Sequence, residues 1–315
     1  SCPVTVQSSL ESGMASADTV AKADEFRKQA EKKLKGFGFF GNKYEEAADL
    51  LEKAANNYKL GKCWNDAADC YTKLAECHLK SDSKHEAASM YVEAAKVAAK
   101  SNPQQSTALL QKAVGLYTDL GRLNTAARQL KEIAEVNEKQ NLKEEALHFY
   151  EQAADLFETE GSNSEATKCR LKIAEFSAEL GKYSKSVEIY EDAAKRAVEN
   201  NLLKFSARGY LLNAGICGLC YLSVKDITAK LDKYRDIDLQ FSASREDMLL
   251  QGLCESFESG DDAQFSTHLA EFDAVIRLDA WKTKVLLAAK RRLQDMQLGV
   301  GGAAGEEDEE EDELR

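Results

Sequence analysis

Chemistry, if this 315-residue chain performs any, would have to start from Cys217 and Cys220, the one CxxC in the sequence. Such a pair works in redox exchange when it opens a helix after a strand. It works as half a zinc site when a second ligand pair follows at matching distance. Neither context is present, because the surrounding LLNAGICGLCYL is an apolar helical run with no strand before it. The two thiols therefore read as small apolar residues inside a buried helix. Cys63, Cys70 and Cys77, seven apart, read as a stripe of one helix. The histidines (78, 85, 148, 268) are scattered, and none neighbours a nucleophile in a recognisable motif. Gly299-x-Gly301-x-x-Ala304 has the letters of a dinucleotide fingerprint, yet it follows a helix and precedes an acid run. With no P-loop and no HExxH, the expectation is no catalytic residue, no metal site and no cofactor.

Three other features suit binding. Phe37, Phe39 and Phe40 sit in Gly-Phe-Gly-Phe-Phe-Gly, just behind Arg27, Lys28, Lys32, Lys33 and Lys35. Aromatics on a glycine loop beside clustered cations suit an anionic bilayer surface; equally, the rings could fold back onto the first hairpin. Basic residues recur near the starts of later units as Arg122 and Arg128, Lys168 and Lys172, Lys204 and Arg208. They suit an acidic rod-shaped partner, or an ordinary solvated helix face. Leu314 is one apolar residue at the end of an acid run, a probe for a small pocket or simply part of a solubilising tail.

The elements that must position these residues are repeated helices. Lys43 to Leu60, KYEEAADLLEKAANNYKL, reads as an amphipathic helix, and relatives of it return at 141–160 and 182–199. Small residues mark a close-packing point at Ala47, Ala67, Ala87, Ala108, Ala126, Ala146 and Ala166, in steps of 20, 20, 21, 18, 20 and 20, with Ser186 continuing the count. Each unit is one helix of about 25 Å plus a turn, and two units make a hairpin longer than a tetratricopeptide repeat but of the same logic. Gly61, Ser81–Ser83, Asn102-Pro103, Gly121, Gly161–Asn163 and Gly181 supply the turns. The fold expected is all-α: a TPR-like helical-hairpin solenoid, a twisted sheet of antiparallel helices, capped by a C-terminal helical bundle. The domains expected are a disordered leader at 1–20, the solenoid at 21–200 (opening with a basic helix at 21–35), the bundle at 201–298 and a flexible acidic tail at 299–315. Within the bundle, helices are expected at 202–222, 224–236, 244–258, 261–275 and 279–297.

Composition agrees with helix, with 43% hydrophobic residues, 30% charged and two prolines. No run of eighteen apolar residues or signal core is present, and eight cysteines without a signal suit reduced thiols in the cytosol. The eight acids of 306–313 and Arg315 account for seven of the net −12, leaving −5 on residues 1–305. That balance argues against nucleic acid as a partner.

The repeats, together with SKHEAA at 83–88, YTDLGR at 117–122, HFYEQAADLF at 148–157, SNSEATKC at 162–169, NNLLKFSA at 200–207, RLDAWKT at 277–283 and the terminal ELR, resemble the soluble NSF attachment protein family. The resemblance runs from about residue 24 to 315, and the acid tail with its penultimate leucine is the alpha/beta pattern. It implies a non-enzymatic adaptor that binds the four-helix SNARE bundle and recruits the hexameric AAA+ ATPase NSF for SNARE disassembly. Cytoplasmic location with peripheral membrane attachment is implied too. By the same resemblance Arg122, Arg128, Lys168, Lys172, Leu202 and Arg208 fall on the SNARE-binding face. Arg128 and Arg208 stand there for family lysines, with charge kept and geometry changed. Phe37, Phe39 and Phe40 match the membrane-contacting loop. Glu255 and Glu258 match acids that meet NSF, with Ser259 where a third acid is expected, and Leu314 matches the leucine that stimulates the ATPase. A generic tetratricopeptide-like scaffold is the alternative; the Lys/Asn carboxylate clamp that would favour it does not occur at matching positions.

Overall fold

The computed structural model describes residues 4–36, 42–200 and 203–298. Phe37, Phe39, Phe40, Leu202, Leu314 and the acidic tail lie outside the described residues. Within them the chain forms fourteen α-helices, one 3-10 turn (Lys204–Ser206) and no strand. The first nine are α1 Val4–Lys35, α2 Asn42–Leu60, α3 Trp64–Lys80, α4 Lys84–Ala98, α5 Pro103–Asp119, α6 Leu123–Lys139, α7 Lys143–Thr159, α8 Asn163–Glu179 and α9 Tyr183–Glu199. The last five are α10 Ala207–Gly218, α11 Val224–Ile237, α12 Arg245–Ser259, α13 Asp262–Asp273 and α14 Ala280–Gln297. The expected leader at 1–20 and helix at 21–35 are one helix from Val4 onward. The expected helix at 202–222 is shorter, because a 3-10 turn precedes it and α10 stops at Gly218.

One residue in the alanine series is misplaced by sequence alone. Ala108 is exposed, and the buried small residue of α5 is Ser106. With Ser106 in its place the close-packing points run 47, 67, 87, 106, 126, 146, 166 and 186, twenty apart except for one step of nineteen. Serine serves at two of these points because its hydroxyl finds a backbone acceptor across the contact. Ser106 Oγ donates to the Ala95 carbonyl and Ser186 Oγ to that of Ala174, both at 2.9 Å. A buried hydroxyl without such a partner would cost about 1–3 kcal/mol.

The turns repeat as strictly. Lys62, Asp82, Gly121, Asn141, Gly161 and Gly181 all adopt positive φ. The helix before each then closes its last carbonyls on the following amides, as in Cys63 N–H to Tyr58 O at 2.9 Å and Arg122 N–H to Tyr117 O at 2.8 Å. Gly61 serves another purpose: a Cβ there would lie 2.6 Å from Val20 Cγ2, so glycine lets α1 lie close to this turn. The fifth helix starts differently, with Pro103 at its first position and Asn102 capping the Gln105 amide.

Two compact units divide between Ala166 and Thr167. In the first, the core is alanine-rich, with Tyr58, Tyr71, Tyr91 and Leu110 as the large fillers. In the second, Ala174, Ala178, Val187, Tyr190 and Ala194 of α8 and α9 share a core with the buried side chains of α10–α14. Trp281 of α14 donates to the Glu175 carbonyl at 3.0 Å and stands edge-on to Tyr190. The expected border at 200/201 therefore runs inside one core: α8 and α9 keep the twenty-residue period but pack with the bundle.

Candidate partner-binding surfaces

Among the basic residues singled out in sequence, Arg128, Lys168 and Arg208 recur at forty-residue intervals. Arg128 and Lys168 each follow their helix's close-packing alanine by two residues, and Arg208 comes forty further on. In the first unit Arg122 is the N-cap residue of α6 and Arg128 lies one and a half turns on. Both are exposed, and neither closes a salt bridge among the described residues. In the second unit Lys168 is exposed on α8, while Lys172 is half-buried and paired with Glu175 at 3.0 Å. Arg208, half-buried, opens α10. Lys204, part of the same sequence pattern, sits in the 3-10 turn.

That turn carries a feature the sequence reading missed. Phe205 is 70% exposed and Leu203 49%, on either side of Lys204. A helix at 202–222 would have placed Phe205 on one of its faces; the 3-10 turn leaves the ring outside the core instead. The legible signal was the break in the twenty-residue period after Asn200, which marks a segment freed from helix-on-helix packing.

Glu255 and Glu258 are three apart on α12 and both exposed, so they project from one side of the helix. Gln251 Nε2 donates to Glu255 at 3.1 Å. Ser259, where the resemblance expects a third acid, turns its hydroxyl back to the Glu255 carbonyl at 3.0 Å and adds nothing to that charge. Beside these acids a cavity of about 660 Å³ opens between α12 and α13, walled by Glu255, Glu271, Met248 and Phe272. His268 lies flat on Gly252, where a Cβ would meet its ring at 2.8 Å.

Of the seven cysteines within the described residues five are buried, Cys63 and Cys220 are half-buried, and none forms a disulfide. Burial pushes the Cys217 and Cys220 thiols each up to about 12. Cys217 Sγ meets Ser186 Oγ at 3.4 Å, and Cys220 donates to the Val285 carbonyl at 3.5 Å. Protonated and packed, neither is a nucleophile at neutral pH. Cys63 stands apart from the expected stripe, as the residue just before α3. No group of three or more metal-ligating side chains occurs among the described residues.

Helical repeats, recurrent cations and an acidic last third are now joined by sequence relationship. Residues 21–294 match the profile of the family described as soluble NSF attachment protein, SNAP. The chain belongs to the soluble NSF attachment protein family. It is 43% identical over 282 residues to an alpha-soluble NSF attachment protein of Vitis vinifera, covering 90% of this chain and 98% of that one. It is 36% identical to the human alpha-soluble NSF attachment protein, over 84% of this chain and 92% of the other. A probable vesicular-fusion protein sec17 homolog of Schizosaccharomyces pombe matches at 36% over 88% and 98% of the two chains. As a family member the chain is a helical-repeat attachment protein, not an enzyme. Among the described residues no helix is long and apolar enough to cross a membrane.

Proposed function

We propose that this attachment protein is a non-enzymatic adaptor that holds a SNARE four-helix bundle, syntaxin-type SNAREs included, and presents it to the NSF hexamer for disassembly. The observation that carries this is the family match over residues 21–294, which spans every cation and acid discussed above except Leu314's tail. Each unit brings its own cations to the acidic bundle: Arg122 and Arg128 in the first, Lys168, Lys172 and Arg208 in the second. Leu202, with the exposed Phe205 close by in sequence, adds apolar contact. Glu255 and Glu258 meet a basic surface of NSF, and Leu314 stimulates ATP hydrolysis. Phe37, Phe39 and Phe40 touch an anionic membrane surface, giving peripheral attachment in the cytoplasm and raising the effective concentration at SNAREs.

A net −12 chain holds an acidic bundle only through local cations in a solvent-exposed setting, so binding is screened by salt. Co-sedimentation with a recombinant SNARE bundle at rising salt, with and without NSF, tests the reading. Binding is expected to fall steeply between low and high salt and NSF to join only when the adaptor is present. Salt-independent binding would remove the electrostatic face.

A further inference from the structure

In the first unit, α1 and α3 run side by side, tied by Arg27 to Asp66 and by Lys73 to Glu31, each at 2.9 Å. Lys35, the last residue of α1, lines one cleft with Cys77 and Lys80 of α3. The cleft, of about 440 Å³, is floored by Leu34, Tyr44 and Cys77. The floor is apolar at neutral pH, since burial pushes the Cys77 thiol up to about 11.

The mouth of the cleft is cationic. Glu31 is engaged by Lys73, whose hydrogen bond holds its carboxyl below the usual range. Lys35 and Lys80 are exposed and close no salt bridge among the described residues. Lys43 places its ammonium 5.0 Å from the centre of the Tyr44 ring. Among the described lining residues Glu76 offsets them, and Glu31, already held by Lys73, lies within electrostatic reach of Lys35. An apolar slot with lysines at its lip is complementary to an amphiphile whose chain enters and whose anionic head stays in water.

We propose that this cleft takes one acyl chain of an anionic membrane phospholipid, with Lys35 and Lys80 on its phosphate. It rests on the reading that Phe37, Phe39 and Phe40 meet the bilayer, because those residues join Lys35 to α2 in sequence and so bring the cleft to the lipid. The cleft turns a non-specific wedge into a contact that selects charge and holds single lipids.

Titration of the full chain with monomeric dioctanoyl phosphatidylserine, followed by NMR, tests the cleft apart from the loop. Wild type is expected to bind saturably and at least tenfold more tightly than it binds dioctanoyl phosphatidylcholine. Cys77→Trp, which fills the floor, abolishes binding, and Lys35→Glu with Lys80→Glu weakens it at least tenfold. The two surface lysine changes keep the fold intact, checked by circular dichroism, should Cys77→Trp disturb it. A variant with Phe37, Phe39 and Phe40 all changed to Ser binds the monomer as wild type does but no longer sediments with phosphatidylserine vesicles. No saturable binding by wild type, or binding untouched by the lysine reversal, overturns the cleft. So does tighter binding by the triple serine variant, which would give the slot to the chain's own phenylalanines. Vesicle sedimentation that survives the three serines, with monomer binding as expected, removes the loop reading and leaves the cleft standing.

Discussion

Burial sets the chemistry of Cys217 and Cys220. With thiols near 12, the thiolate fraction at pH 8 is on the order of one in ten thousand. A native sample treated with a disulfide reagent at pH 8 is expected to leave both unlabelled for hours, and to label them once urea unfolds the chain. Labelling of either within minutes would contradict the packing. The raised thiols also predict a direction for stability. The folded chain keeps these protons at a pH where the unfolded thiol, near 9, has given them up, so stability is full below about 9 and falls as pH rises towards 12. Urea midpoints at pH 8 and pH 10 measure it. Arg128 and Lys168 carry the opposite kind of prediction, about a surface. Reversing both to Glu is expected to weaken SNARE-bundle binding by at least about tenfold, or roughly 1.4 kcal/mol, with helicity unchanged. Wild-type affinity in that variant, read by titration at low salt, would move the binding face elsewhere.

The helix-and-turn unit answers to two backbone rules. Small residues are needed where helices touch, and a left-handed residue is needed where each turn closes. Gly121, Gly161 and Gly181 meet the second rule without cost, whereas Lys62, Asp82 and Asn141 meet it with a side chain present. Lys62→Gly is therefore expected to stabilise the protein by roughly 0.5–1 kcal/mol, and Gly161→Val to destabilise it by more than about 1 kcal/mol. Chemical denaturation of the two variants, with opposite shifts in midpoint, checks the rule; shifts of the same sign would break it. This is also the scale at which sequence was most legible. The twenty-residue period reads out α2 to α9, whereas α1 begins well before the expected 21–35, and α11 to α14 lie within a few residues of expectation. The misses share a cause. Ala108 reads as the small residue of α5 because side-chain size is visible in sequence, whereas the Ala95 carbonyl that accepts from Ser106 is not. Phe205 escaped because nothing local distinguishes a 3-10 turn from the first turn of a helix.

At the scale of the whole molecule, binding and stimulation separate. The cations belong to the helical units, whereas Leu314 follows an acid run far along the chain. Leu314→Ala is expected to bind the SNARE bundle as wild type does and to lose at least about tenfold of NSF-stimulated ATP hydrolysis, measured by phosphate release. Equal stimulation would sink that role for the leucine. The sequence by itself determined the helical repeat, the family, the absence of enzyme motifs and the recurrence of Arg128, Lys168 and Arg208 at forty-residue intervals. These depend on periodicity and residue type, which are properties of the chain read in order. Tertiary structure alone decided that α8 and α9 share a core with the C-terminal helices, that Ser259 turns back on its own helix, and that Leu34, Tyr44 and Cys77 line one slot at the end of α1. Each of those depends on which surfaces remain once distant helices have packed, and no local pattern of residues encodes what is left uncovered.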